Sequence, residues 1–360
     1  MVKIIIATLL CINLFSATLP SKQILEQQIG KMIIFGFEDS KLENNSPIIN
    51  AIERYNLGGV ILFDRFYEDR SRIKNIESPQ QLQALTQKLK EISPQLLISI
   101  DQEGGKVQRL KESYGFASTP SAFEMAKLSE EKAKESYENM AKMLKKSGIN
   151  LNFAPVVDLA LNPQNRVIYG LERSYGKTSD MVTAYASIFI DALEKEGVIA
   201  VLKHFPGHGS SLNDSHKGFV DVTQTWSEIE LEPFKQLLEK NSVQMIMTAH
   251  IFNATLDKNY PATLSHNTNT KLLREKLGFK GVIISDDLQM KAISEHYSLK
   301  QTVTLAINSG VDLLLFGNQL AKQDLEELIN TIYEEVSSGN ISYELILKAN
   351  ERIAALKKGV

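Results

Sequence analysis

The sequence predicts a single-domain α/β fold, a (β/α)8 barrel. Three observations predict it: eight short apolar runs, helix punctuation between them, and polar residues gathered where the runs end. Such a barrel takes about 250 residues or more, and the chain has 360. Continuous apolar runs rich in Val and Ile read as strands covered on both faces, hence a parallel sheet. Eight strand–helix units argue for closure over an open doubly wound sheet.

The runs cover residues 32–37, 59–63, 96–100, 149–157, 198–202, 243–247, 282–284 and 311–316. Ser78-Pro79-Gln80-Gln81 opens a helix with a capping box and Pro at the first helical position. Ser121 with Glu124, Thr225 with Glu228 and Ser298 with Gln301 repeat the capping pattern. Gly148, Gly197, Gly278 and Gly310 stand where a helix ends shortly before the next strand. A further helix is expected over 343–357. No Pro-rich, Gly/Ser-rich or charge-run linker divides 21–360, so this stretch reads as one domain.

Hydrophobic residues are 43% and charged residues 23%, as in an ordinary globular protein. A net charge of -3 gives no basic footprint for nucleic acid. The single cysteine, Cys11, excludes an intrachain disulfide framework and a cysteine metal site. Residues 1–20 stand apart: Lys3, then an almost wholly apolar run. It suits a signal peptide or signal anchor better than a bilayer span. Export to the periplasm or the outer face of the inner membrane is expected, with membrane association only through this segment. The alternative is a buried N-terminal strand.

In a barrel of this kind chemistry lies at the C-terminal strand ends. Run two ends at Asp64, run three in Asp101-Gln102-Glu103-Gly104-Gly105, and run four at Asp158. Run five leads into Lys203-His204-Phe205-Pro206-Gly207-His208-Gly209, run six ends at His250, and run seven at Ser285-Asp286-Asp287. One carboxylate after a strand is more often a helix cap. Six polar ends converging on one mouth need a ligand to justify their desolvation. Three chemistries could use them. His204, His208, His216, His250 and Asp286 could hold a metal, although run one lacks the close histidine pair such barrels usually offer. Lys203 could form a Schiff base. Two of the polar groups could serve glycoside hydrolysis, one protonating the leaving oxygen and one acting at the anomeric carbon.

The motifs Asp101-Gln102-Glu103-Gly104-Gly105-Lys106-Val107-Gln108-Arg109, Asn152-Phe153-Ala154-Pro155-Val156-Val157-Asp158-Leu159 and Glu172-Arg173-Ser174-Tyr175-Gly176 resemble glycoside hydrolase family 3. So do the Lys203–Gly209 block, Asp214-Ser215-His216 and Ser285-Asp286-Asp287-Leu288-Gln289-Met290. The likeness is to the β-N-acetylglucosaminidase branch and spans about residues 25–320. It implies a retaining exo-enzyme acting on terminal β-linked N-acetylglucosamine, and a peptidoglycan fragment (a muropeptide) as substrate. It implies Asp286 as nucleophile, His216 as acid/base and Asp214 as its partner. Spacing alone does not choose Asp286 over Asp287. Asp101, Arg109, Arg173, Lys203 and His204 match sugar-binding residues.

The dyad has a physical logic of its own. In an extended loop residues i and i+2 point to one side, so the Asp214 carboxylate can fix the tautomer of His216 and let it carry a proton. Glycines and small polar residues over 207–218 suggest a segment that closes over substrate. Asp158, Glu103 and Glu172 are expected to be structural, His208 to anchor its loop through bonds to backbone carbonyls, and Trp226 to serve packing. No cofactor or metal is implied, and the default oligomeric state is a monomer. Family members that cleave glucosides usually carry a second domain supplying a glutamate acid/base. The stretch after residue 320 is too short for one, and Asp214-Ser215-His216 favours the N-acetylglucosaminidase branch. A β-glucosidase of the same family, a metal-dependent amidohydrolase and a non-catalytic sugar-binding barrel are the competing readings.

Overall fold

The apolar runs do become strands, most of them shorter than their runs because only the central residues pair on both sides. The computed structural model describes residues 19–240 and 243–358. Of the expected signal segment, residues 1–18 therefore lie outside the described residues. The strands are β1 Ile33–Gly36, β2 Gly59–Ile61, β3 Leu97–Ile100, β4 Leu151–Asn152, β5 Ile199–Phe205, β6 Met245–Thr248, β7 Val282–Ile284 and β8 Leu314–Phe316. All pair in parallel, in the order β7-β6-β5-β4-β3-β2-β1-β8. A parallel bridge between Ile284 and Leu313, with the amide of Ser285 donating to the carbonyl of Leu313, brings β7 to β8 and closes the ring. The (β/α)8 barrel expected from the sequence is the fold observed.

Helices on the outside cover the strands through apolar stripes. Leu82, Leu85 and Leu89 of helix Pro79–Ile92 are buried, as are Tyr137, Met140 and Leu144 of helix Glu130–Lys146. Their starts follow the expected caps in part. Ser298 and Gln301 form the full reciprocal box, and the hydroxyls of Ser78 and Ser121 accept from the amides of Gln81 and Glu124. Thr225 does not cap: its hydroxyl donates to the carbonyl of Val222, and the short 3-10 helix Glu228–Leu231 starts after Ser227. Gly148, Gly197, Gly278 and Gly310 all adopt left-handed φ, which relieves the chain at helix ends. Helix Tyr343–Lys357 follows the barrel. No helix among the described residues is long and apolar enough to cross a membrane.

Two departures from the expected strands matter for the site. The run over 149–157 pairs only at Leu151–Asn152, with one later bridge from Val156 to Lys203. Pro155 has no amide proton to give a ladder. Conversely β5 runs to Phe205, and its pairing with β6 shifts register between Leu202 and Phe205. Lys203 and His204, expected just beyond the strand, thus stand on it.

Candidate active site

The C-terminal ends of β2 to β8 open into one cavity of about 540 Å3. Its floor is a buried lattice of charge. Lys203 Nζ lies 3.1 Å from Asp101 Oδ1 and 2.6 Å from Glu103 Oε1. Arg109 Nη2 donates to the other Asp101 oxygen at 3.1 Å. Arg173 grips Glu103 with two bonds, Nε to Oε2 at 2.8 Å and Nη2 to Oε1 at 2.9 Å, a planar fork matched to a carboxylate. Burial alone would push Asp101 and Glu103 upward. Lys203 with Arg109, and Arg173 with Lys203, outweigh it and hold both below the ordinary range.

The same lattice settles the tautomer of His204. Arg173 Nη2 lies 3.2 Å from His204 Nε2, and a guanidinium can only donate. Nε2 is therefore the acceptor, and Nδ1 carries the proton toward Asp158 Oδ2 at 2.6 Å. Burial, reinforced by Arg173, keeps this imidazole far below its ordinary pKa. Asp158 also receives the backbone amide of His208 at 2.8 Å. It is a brace beneath the floor, as its structural reading anticipates.

Asp286, at the end of β7, is half-buried and lines the cavity. Burial opposes its ionisation. His250, His204 and His216, together with the amide of Asp287 donating to Oδ1 at 2.8 Å, hold its pKa below the ordinary value. Asp287 differs. Burial raises it to about 6, and its Oδ1 accepts from the amides of Gln289 and Gly317. Geometry thus separates the adjacent carboxylates: one is kept anionic, the other caps the following turn.

His216 and Asp214 reach the cavity from the loop after β5. His216 Nδ1 stands 2.9 Å from Asp214 Oδ1, and the same oxygen accepts the His216 amide at 3.0 Å. The His216 bond is the leading cause that lowers the Asp214 pKa. With Nδ1 turned to Asp214, Nε2 is the nitrogen left for a substrate. All eight residues singled out from the sequence line this one cavity.

The Glycosyl hydrolase family 3 N terminal domain matches residues 24–356. The chain belongs to glycosyl hydrolase family 3. Beta-hexosaminidase A of Pseudoalteromonas piscicida is 33% identical over 327 residues, covering 85% of this chain and 54% of that protein, so the chain spans about half the length of this relative. A beta-hexosaminidase of Shewanella frigidimarina is 36% identical over 275 residues, covering 74% of this chain and 76% of its own. Among solved structures, a family 3 beta-N-acetylglucosaminidase from Paenibacillus sp. FPU-7 superposes with a TM-score of 0.83 at 32% identity, covering 93% of this chain and 62% of that one. The fold and family read from the motifs both hold.

Within this family 3 barrel several neighbours of the site were not legible as such. His250 is buried; its Nε2 donates to the carbonyl of Asp287 at 2.9 Å, and its Nδ1 meets the Thr263 hydroxyl at 2.8 Å. Glu103 touches two of the sugar-binding candidates directly. Glu230 is buried behind the loop after β5. His208 is an anchor of another kind than expected. Its backbone amide binds Asp158 and its Nδ1 meets the Ser211 hydroxyl at 2.7 Å, with no backbone carbonyl on the ring. Trp226 packs as expected, its indole donating to the carbonyl of Pro206. Of the side chains weighed as metal ligands, His204 and His250 have partners on both ring nitrogens. Lys203, weighed for a Schiff base, is held between two carboxylates.

Proposed function

We propose that the protein is a retaining exo-β-N-acetylglucosaminidase. It removes terminal β-linked N-acetylglucosamine, forms a covalent glycosyl-enzyme on Asp286, and uses His216 as acid/base. One observation carries the reading: an anionic half-buried carboxylate and an exposed Asp–His dyad face the same cavity over a rigid polar floor. The floor supplies carboxylate and cationic partners for sugar hydroxyls and the acetamido oxygen. His216 gives its Nε2 proton to the leaving oxygen while Asp286 attacks the anomeric carbon. The glycosidic C–O bond breaks as the aspartyl ester forms. His216, now neutral, takes a proton from water, which attacks the anomeric carbon and breaks its bond to the aspartyl oxygen, releasing the sugar with Asp286 restored as a carboxylate.

For the aglycone we propose a peptidoglycan fragment. In support, the cavity rim is cationic although the chain is net acidic: Arg65, Arg70 and Arg166 line it, and none forms a carboxylate ion pair among the described residues. Arg70 stands over the ring of exposed Tyr67. Such a rim suits the carboxylates of muramyl sugars and their peptides. We infer export through residues 1–20 and action as a monomer.

The test compares a chromogenic N-acetyl-β-glucosaminide with the matching β-glucoside, for wild type, Asp286→Ala and His216→Ala, with and without EDTA. Selective cleavage of the N-acetyl substrate, indifferent to EDTA and crippled in both variants, supports the reading. Preference for the glucoside, or an enzyme silenced by EDTA, overturns it.

A further inference from the structure

The loop that carries Asp214 and His216 is held very unequally along its length. Its first residues, 207–211, are clamped from two sides. From the β4 side, Asp158 takes the amide of His208. Asn165 donates to the carbonyls of His208 and Gly209, and Asn162 to that of Ser211. From the opposite side comes a single side chain, Glu230, whose Oε2 accepts the amides of Gly209 at 2.8 Å and Ser210 at 3.3 Å. The backbone has no slack there. A Cβ on Gly209 would fall 1.8 Å from the carbonyl oxygen of Leu159, and one on Gly207, whose φ is +117°, would fall 2.5 Å from Glu230 Cβ. Beyond Ser211 the chain turns outward. Leu212, Asn213, His216 and Lys217 are exposed, and the amide of Ala292 reaches in to the carbonyl of Ser215.

We propose that Glu230 is a positioning residue for the acid/base: by gripping the Gly209 and Ser210 amides it fixes the root from which the Asp214–His216 dyad projects. This rests on the reading of His216 given above. A carboxyl at 1% exposure with no cation on it among the described residues is a costly choice for filling space, which a leucine would do better. Burial pushes its pKa up to about 7, the mark of that cost. What an apolar side chain cannot do is accept two adjacent backbone amides on a chain too tightly threaded to find other partners. The tip has few bonds of its own, so the direction of the imidazole is inherited from the root. A misplacement of about 1 Å there can cost on the order of a hundredfold in rate.

A general acid matters only when the leaving group needs a proton, and this separates positioning from mere structural support. The experiment measures kcat/KM for two N-acetyl-β-glucosaminides, one with a dinitrophenolate leaving group and one with a sugar alcohol, in wild type, Glu230→Ala, Glu230→Gln and His216→Ala. The expected result is a loss of about tenfold or more for Glu230→Ala on the sugar-alcohol substrate, with the dinitrophenyl substrate within about twofold. His216→Ala shows the same pattern more strongly. Glu230→Gln stays near wild type, because its amide oxygen still accepts both N–H groups. Should Glu230→Ala fold poorly, Glu230→Asp, one methylene shorter, carries the same comparison. Equal losses on both substrates, or none on either, overturn the proposal while His216→Ala discriminates. If His216→Ala itself fails to discriminate, the acid/base assignment falls and the positioning claim with it.

Discussion

Lys203 and His216 follow one another along the same strand and loop, yet they are held in opposite ways. The lysine side chain is 3% exposed and wedged between two carboxylates that are themselves gripped by arginines. The histidine is 45% exposed and its ring has one partner. The lattice around Lys203 spans the ends of β3, β5 and the β4 loop, so no member can move without unpairing another. The dyad has no such cross-links. On the proposed reading, recognition of a sugar ring falls to parts that need not move, and proton delivery to a segment whose position can be adjusted. The difference also predicts which changes harm folding and which harm only turnover.

The contrast is sharpest in the two groups assigned to chemistry. Asp286→Ala is expected to lower kcat by about 10^4-fold or more while leaving the melting temperature near that of wild type, because Asp286 accepts a single bond from the amide of Asp287. His216→Ala follows with about 10^2- to 10^4-fold on a substrate with a poor leaving group. A stability loss matching the activity loss in either variant would break the comparison.

Next comes the floor. Lys203→Met leaves Asp101 and Glu103 short of a cation in a buried lattice, and breaking such a pair costs about 3–5 kcal/mol. Denaturant melts should show it, and KM should rise with it. Asp214→Ala removes a partly exposed partner, a kind of pair worth about 0–1 kcal/mol, so its melt should barely change while kcat and its pH profile do. Similar melts for the two variants would erase the distinction.

A third effect concerns pH. Glu230 has its pKa raised from 4.5 to about 7. The folded state therefore holds this proton more tightly than the unfolded chain. The sign follows: the stabilisation is fully present below pH 4.5 and is lost as pH climbs through 7. The drop is on the order of 3 kcal/mol. Melting temperature should fall over that window in wild type and fall less in Glu230→Gln; parallel curves would remove Glu230 as the cause. The smallest effect belongs to the rim. Arg70→Ala and Arg166→Ala are expected to raise KM severalfold for a carboxylate-bearing aglycone at low salt, to leave a neutral aryl glycoside unchanged, and to lose their effect as salt is added.

How much of this was legible in the sequence follows from the same division. The barrel was readable because buried parallel strands leave continuous apolar runs, and His204, Lys203 and Asp286 because they sit where such runs end. Strand limits were less so: Pro155 interrupts pairing inside an apolar run, and β5 carries charged residues that look like loop. Glu103 and His250 stand in the right places, but nothing local tells a brace from a binding group; partners from other strands decide that. Glu230 lies among Glu228 and Glu232 in an acidic helix start, where alternation with Ile229 and Leu231 gives no sign that this carboxyl faces inward.

The closure of the ring has a consequence for how the protein matures. Ile33 pairs with Leu314, so the first strand waits for the last. The turn after β7 is itself completed by β8: Leu288 donates to the carbonyl of Leu315, and Gly317 gives its amide to Asp287. The carboxylate next to Asp286 thus has no full set of partners until almost all of the described residues have been synthesised and docked. Pairing across so long a sequence separation is slow to form. Activity should therefore be the last property to appear on refolding, trailing the return of helical signal, and a chain cut before β8 should keep Asp101, Glu103 and Lys203 while leaving the turn at Asp286 and Asp287 incomplete.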